Sequence, residues 1–411
     1  MAEEISKARE KLRTMSKTER KRLFPKISDK EFEFILSLED DQLEKLLMCI
    51  MPPPGQAHPQ KPKKKGPSWF DKDICALDQN GIQRLEELEA QYRPTTPSRL
   101  MPYKTLRYLR QLKNMHLKVP DFFREKINPK QLYMKMMEFC TEHDIPEEII
   151  SRLLPILINY IETGHVRPTI LVGDKGTGKS TCLRLFLGEF LQLPVKVIKV
   201  PQTDGDHGLT GDCDTYRSAD VGSIVKARLD LNSFIVVYIM DEIDKCSHPD
   251  THASIEDELL SLTDESCEDI QDNFLEIRLV GLEYCPVFFT ANDLQKISPI
   301  LADRCTVIRF PNATAPRLKS ICHKYVEQRM TNTLYDMIEF DYDLLDKHID
   351  YLVSCQVTSI RKHQQMIEAV FENALHVALT QETDDPVPTT EEMFLEAEAD
   401  ILGTEKRRVG F

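Results

Sequence analysis

Glycine is scarce in this chain, 15 of 411 residues, and tryptophan occurs once, at Trp69. No stretch approaches the roughly 18 consecutive apolar residues of a bilayer-spanning helix, so no membrane span is expected. Met1 to Arg22 is charged and helix-like without an apolar h-region, so no cleaved leader is expected either. None of the 11 cysteines forms a C-x-x-C pair; they scatter from Cys49 to Cys355. That dispersal excludes ribbon-type metal spacing and dithiol redox motifs, and predicts free thiols in a reducing, cytoplasmic setting. No repeat of fixed period is present, which excludes a solenoid. An overall basic excess is missing as well: the formal charge of −14 argues against generic affinity for nucleic acid.

The few glycines are unevenly placed. Three of them fall within six positions of Gly173-Asp174-Lys175-Gly176-Thr177-Gly178-Lys179-Ser180-Thr181, which satisfies the spacing G-x-x-x-x-G-K-[ST]. Backbone N–H groups close around phosphate oxygens only where no Cβ blocks the approach, and glycine also tolerates positive φ. Lys179 is placed to reach the β- and γ-phosphates of a nucleoside triphosphate, and the Ser180 hydroxyl to bind Mg²⁺. An apolar run, Ile170-Leu171-Val172, precedes the loop, and helical spacing of Cys182, Leu183, Phe186, Leu187 and Phe190 follows it. Strand, loop, helix is the order the motif requires, because the helix N-terminus adds partial positive charge at the phosphates. ATP with Mg²⁺ is the expected ligand.

At 41% hydrophobic and 29% charged residues, the length allows two or three domains. Residues 1–50 read as a small helical unit and 51–67 as a linker, with Pro52-Pro53-Pro54-Gly55 and Lys61, Lys63, Lys64 and Lys65. Residues 1–67 carry 15 Lys/Arg against 11 Asp/Glu, a balance of +4, which leaves −18 for the rest. The lysine cluster fits a solvated linker, with a phosphate-backbone contact as the sharper alternative. Residues 68–130 read as a helical segment. Residues 131–311 alternate helices with apolar runs at 168–172, 195–200, 233–240, 285–290 and 306–309. This alternation predicts an α/β domain whose parallel sheet is covered on both faces. Residues 312–380 return to helix. Residues 381–411 read as an acidic tail with a short helix, capped by Thr389-x-x-Glu392.

A second polar cluster is expected at strand ends. Phe234 to Met240 is apolar and ends in Asp241-Glu242, a strand that delivers two adjacent carboxylates. Asp241 suits holding Mg²⁺, and Glu242 suits polarising the attacking water. Val287 to Ala291 is another buried-looking run that ends in Asn292, whose amide fits either a contact to water and γ-phosphate or a simple turn start. Open α/β sheets bind ligands at such ends.

The ordered set resembles the AAA+ ATPases, and within them the ATPase module of Lon-type proteases. The resemblance is carried by Asp241-Glu242-Ile243-Asp244-Lys245, Thr290-Ala291-Asn292, Ile297 to Arg304, Leu209-Thr210-Gly211, Tyr216 and Gly222-Ser223-Ile224-Val225. It spans roughly residues 130–375 and implies a P-loop AAA+ three-layer αβα domain, a C-terminal helical lid and N-terminal helical segments. By position it implies that Asn292 is sensor 1, Arg304 an arginine finger acting on a neighbouring subunit, Arg361 sensor 2 and Tyr216 a pore-loop aromatic. A ring of subunits, most often a hexamer, follows from the finger. Arg217 stands where that family has an aliphatic residue, and the Asp303-Arg304 pair lies one residue further from Pro299 than the family pattern. About 30 residues follow the expected lid, too few for a Lon-type protease domain. The expected function is therefore an ATP-hydrolysing oligomer that remodels a protein client or partner complex without its own protease domain. The alternatives are a nucleic-acid-directed protein, since Pro299 to Cys305 also resembles a clamp-loader motif, and an ATP-gated scaffold or sensor.

Overall fold

A computed structural model of the chain describes residues 69, 72–91, 100–120, 123, 129–200, 208–213, 219–246, 253–264, 270–380 and 385–403. All of these belong to one compact unit, Pro67–Phe411. The expected unit 1–50, the linker 51–67 with its lysine cluster, and Tyr216 lie outside the described residues.

Among the described residues four helices precede the sheet: α1 (Gln79–Gln91), α2 (Leu100–Lys113), α3 (Pro129–Glu142) and α4 (Glu147–Thr163). In α4 the residues Ile149, Ile150, Leu153, Leu154, Leu157, Tyr160 and Ile161 form one buried stripe at helical spacing. Glu147 and Glu148 occupy its first turn, where the helix dipole favours negative charge. Trp69 stacks on Tyr284 at 5.5 Å between ring centroids, and its indole N–H donates to Ile161 O at 3.1 Å. The lone tryptophan thus ties the N-terminal helices to the α/β layer.

The α/β layer follows as β1 (Thr169–Val172), α5 (Lys179–Leu183, continued by a π-helical stretch Arg184–Phe190), β2 (Val195–Lys199), α6 (Ser223–Leu231), β3 (Val237–Asp241) and α7 (Ala253–Leu262). Next come the short hairpin strands β4 (Gln271–Asp272) and β5 (Ile277–Arg278), then β6 (Val287–Ala291), α8 (Pro299–Arg304) and β7 (Thr306–Arg309). The sheet order is β2-β3-β6-β1-β7, all parallel. Every residue of β6 and the first four of β3 are buried, so the sheet is covered on both faces. β3 starts at Val237 rather than 233, because its partner β2 begins opposite that residue. β6 starts at Val287 rather than 285, since Cys285 N–H closes a turn to Leu282 O and Pro286 has no N–H to donate.

The C-terminal part contains α9 (Ala315–Met330), β8 (Ile338–Glu339), α10 (Tyr342–Ser354), α11 (Ile360–Thr380), β9 (Val387–Pro388) and α12 (Glu391–Leu402). It has its own hydrophobic cluster, separate from the one under the sheet, and Phe394 and Ala397 of α12 are buried in it. The final helix, set apart as a tail on sequence grounds, is thereby part of the lid packing. β8 and β9 pair in parallel, and Glu398 accepts a hydrogen bond from His348 Nδ1 at 2.6 Å. Thr389 does not cap the helix; its hydroxyl accepts from Asp341 N–H at 2.9 Å, and Thr390 takes the N-cap position. Among the described residues no helix is long and apolar enough to cross a membrane.

Thr210, Gly211 and Gly222 are tied to the β4–β5 hairpin. Asn273 N–H donates to Thr210 O at 2.7 Å and its amide to Gly211 O at 3.0 Å, while Gly222 N–H donates to Asp272 Oδ2 at 2.9 Å. Asp272 also accepts from Leu275 N–H at 2.8 Å. Burial pushes the Asp272 carboxyl up to about 6, against those hydrogen bonds. A carboxyl raised on folding contributes stability that is full below its unfolded pKa, near 4, and is lost as pH rises through 6. Comparing Asp272→Asn with wild type by chemical denaturation, the unfolding free energy should shift toward the variant by up to about 3 kcal/mol between pH 4 and pH 7. Parallel pH profiles would refute that assignment.

Candidate active site

The glycine-rich loop connects β1 to α5 at the C-terminal edge of the sheet. Gly176 (φ 78°) and Gly178 (φ 96°) are both left-handed, a region closed at low cost to residues with a Cβ. The first turn of the lid helix α11 rests on the loop: Ile360 N–H donates to Gly176 O at 2.9 Å, and a Cβ at position 176 would collide with Ser359 Oγ. Gly176→Ala should therefore weaken nucleotide binding about tenfold or more, through strain of about 1–2 kcal/mol and the lost lid contact. Titration with a fluorescent ATP analogue reads this directly.

Lys179 is 7% exposed and fully engaged. Its ammonium donates to Gly173 O at 2.6 Å, Asp174 O at 2.9 Å and Asn292 Oδ1 at 3.1 Å. Burial lowers its pKa, while Asp241, Asp244, Asp174 and Glu242 act in the opposite direction. The loop carbonyls and Asn292 thus hold the ammonium in place. Thr177 Oγ1 donates to Asp174 O at 2.9 Å, and Asn312 Nδ2 to Asp174 Oδ2 at 2.8 Å, which fixes the outer side of the loop. Lys175 and Thr181 are exposed on it.

β3 and β6 bring the acids to the same edge. Ser180 Oγ donates to Asp241 Oδ1 at 2.5 Å, and the Thr290 hydroxyl donates to the same oxygen. Glu242 leaves the strand in the left-handed conformation (φ 62°, ψ 40°), and its Oε2 pairs with Lys245 Nζ at 2.6 Å. Asn292 faces both ways: its Oδ1 accepts from Lys179, and its Nδ2 donates to Asp244 Oδ2 at 3.4 Å. Asp244 is 5% exposed and its Oδ1 has no hydrogen-bond partner among the described residues. Gly173, Gly176, Gly178, Lys179, Ser180, Asp241, Glu242 and Asn292 therefore converge on one edge of the sheet.

Arg361, the second residue of α11, lies next to Gly176, its Cβ 3.5 Å from a Cβ built there. Arg304 is elsewhere. β1 and β7 run parallel with Thr169 opposite Thr306 and Val172 opposite Arg309, so Arg304 precedes the start of the strands while the loop follows their end. Four strand residues alone separate the two levels by about 13 Å. Arg304 Nη1 instead donates to Leu260 O at 2.9 Å and Asp264 Oδ1 at 2.7 Å. It lines a cavity of 750 Å³ at that opposite end.

Sequence reasoning assigned no role to Thr290, Asp244 or Arg317. Arg317 of the lid donates from Nε to Asp144 O at 2.7 Å, and its Nη2 lies 3.9 Å from a Cβ built on Gly178. The D-E-x-D pattern signals Asp244, since a buried second acid needs a reason. Thr290 enters the sequence reading only within the Thr290-Ala291-Asn292 resemblance, and nothing local signals Arg317; their partners lie 49 and 173 residues away.

Residues 169–312 match the family model described as ATPase family associated with various cellular activities (AAA). Among curated proteins the chain is similar to the Lon protease of Amoebophilus asiaticus, 30% identical over 201 residues, 47% of this chain and 24% of that protein. It is similar to the Lon protease of Methanosphaera stadtmanae, 26% identical over 268 residues, 64% of this chain and 31% of the relative. The Lon protease homolog of Acanthamoeba polyphaga mimivirus is 26% identical over 225 residues, 53% of this chain and 21% of its own length. The chain thus spans about a fifth to a third of the length of these relatives. A solved structure of a Thermotoga maritima RuvB mutant overlaps at a TM-score of 0.39 and 16% identity, covering 63% of this chain and 71% of that one. Residues 169–312 thus match the AAA ATPase family model, and a wider stretch around them is similar to part of the Lon proteases.

Proposed function

We propose that this chain hydrolyses ATP at a magnesium-dependent site within a ring of identical subunits, most simply a hexamer, and couples that cycle to remodelling a protein client. The observation that carries the reading is the meeting, at the ends of β1, β3 and β6, of an ammonium, a hydroxyl–carboxylate pair and a second carboxylate outside that pair.

The donor set fits magnesium with a nucleotide. Ser180 and Asp241 offer hard oxygen donors within 2.5 Å of each other. Among the described residues no group of three or more His, Cys, Asp or Glu could hold a metal alone. Magnesium commonly keeps one or two protein ligands plus substrate phosphates, which matches such a sparse site. When bound, the ion would offset negative charge on the phosphates.

The chain's own residues supply the rest. N–H groups from Gly173 to Thr181 and the α5 N-terminus would cradle the phosphates. Lys179 would exchange its carbonyl and amide partners for β- and γ-phosphate oxygens. Glu242, not hydrogen-bonded to Ser180, would accept the proton of the attacking water after leaving Lys245. Asn292 would orient that water, with Asp244 holding its amide. Arg361 would approach the nucleotide as the lid settles on the loop. Arg304, at the far end of its own sheet, would act only on the next subunit's nucleotide, which makes assembly part of catalysis.

The Lon protease relatives favour a protein as client. Tyr216 is the proposed contact to it. The test is the ATPase rate per subunit against concentration, with mass photometry in ATP. A rate that climbs with concentration alongside nucleotide-dependent rings is expected. A constant rate from monomers would remove the shared site.

A further inference from the structure

We propose that Thr290 is a positioning residue for this site: its one hydroxyl, buried at the end of β6, fixes both the carboxylate plane of Asp241 and the backbone of Glu242. The inference rests on the magnesium-ATPase reading above. β3 and β6 are paired with Met240 opposite Phe289, so one step on Thr290 stands beside Asp241. Thr290 is 1% exposed, and the neighbouring strand on its other side, β1, places Leu171 opposite it. No solvent replaces a hydrogen bond lost there.

The roles within the cluster are forced by the available protons. An ionised Asp241 only accepts, so the Thr290 hydroxyl must donate to its Oδ1. A hydroxyl that has spent its proton still accepts, and Glu242 N–H donates to Thr290 Oγ1 at 3.2 Å. Ser180 Oγ donates to the same Asp241 oxygen at 2.5 Å. With Oδ1 accepting from two hydroxyls, Asp241 would hold the ion through Oδ2. Glu242 meanwhile has φ 62°, a conformation that an L residue holds only when its surroundings impose it. The hydrogen bond from its N–H to Thr290 is one such constraint, and it sets where the Glu242 side chain departs. A single buried hydroxyl therefore links the metal-holding acid to the water-activating one.

The test compares Thr290→Val, which keeps the shape and loses the hydroxyl, with Thr290→Ser, which keeps the hydroxyl and loses the methyl. The first readout is binding rather than turnover: affinity for a fluorescent ATP analogue with and without Mg²⁺. In Thr290→Val the gain in affinity on adding Mg²⁺ should shrink about tenfold, while affinity without Mg²⁺ stays within about threefold. The second readout is turnover, where kcat should fall about 10- to 100-fold with KM within about threefold. Thr290→Ser should recover both. If Thr290→Val does not fold, Thr290→Cys, similar in size and a weak donor, takes its place with the same expected losses. An unchanged magnesium gain in the hydroxyl-free variant, or an equal defect in Thr290→Ser, would overturn the proposal, the latter by assigning the effect to packing of the methyl. A wild type that binds Mg-ATP without turning over would sink the hydrolase reading alone, leaving the binding readout to decide on Thr290. A wild type with no magnesium gain would sink both.

Discussion

Glu242→Gln is expected to lower kcat by about 10²–10⁴-fold while the chain still binds ATP. The amide keeps the size of the side chain and loses the ability to take a proton. Lys179, Ser180 and Asp241, the proposed partners of the phosphates and the ion, are untouched. Glu242 sits at the end of β3, its N–H held by Thr290 and its carboxylate paired with Lys245 at 2.6 Å. That ion pair is partly exposed and weak, so its loss in the variant should change stability little. Single-turnover hydrolysis measured beside analogue binding separates the two effects. ATP should persist on assembled variant rings for far longer than on wild type. Wild-type turnover by this variant would remove Glu242 from the chemistry.

Arg304→Ala is expected to cost about 10³–10⁵ in kcat, the range for arginine fingers in related hydrolases, with nucleotide binding by each subunit retained. The reason is geometric. Arg304 lies before β7 and the loop lies beyond β1, at opposite ends of the same sheet, so the side chain cannot serve its own subunit. Its present partners, Leu260 O and Asp264, are at that far end. Mixing the two inactive variants makes the decisive measurement. Where an Arg304→Ala subunit offers its Glu242 to the intact Arg304 of a Glu242→Gln neighbour, a complete site forms. Activity should therefore reappear in the mixture and rise with the fraction of mixed interfaces. A mixture as inactive as its components, with mixed rings demonstrated, would place Arg304 in a structural ion pair with Asp264.

Much of the site was legible because its parts are local in sequence. The loop from Gly173 to Thr181 encodes its own conformation: glycines at the two left-handed positions and a lysine whose ammonium folds back onto the loop's carbonyls. Five apolar runs gave the five strands of the sheet to within a few residues. The offsets at β3 and β6 came from a strand partner and from a proline-linked turn, neither of which hydropathy reports. The final helix was legible as a helix but misplaced as a tail. Its buried Phe394 and Ala397 are an amphipathic stripe like any other until the parallel pair β8–β9 brings it onto α10 and α11.

By itself, the sequence determined that a glycine-rich loop lies between a strand and a helix, that two carboxylates end a second strand, and that an asparagine ends a third. These follow from backbone geometry and burial over a few residues. Only the tertiary structure decided how those ends meet. The order β2-β3-β6-β1-β7 inserts β6 between the strands of the loop and the acids, so Asn292 reaches Lys179 while Thr290 reaches Asp241. The same parallel register sends Arg304 to the opposite end of the sheet. Strand order and register depend on packing between residues scores of positions apart, and no local pattern encodes which ends share an edge.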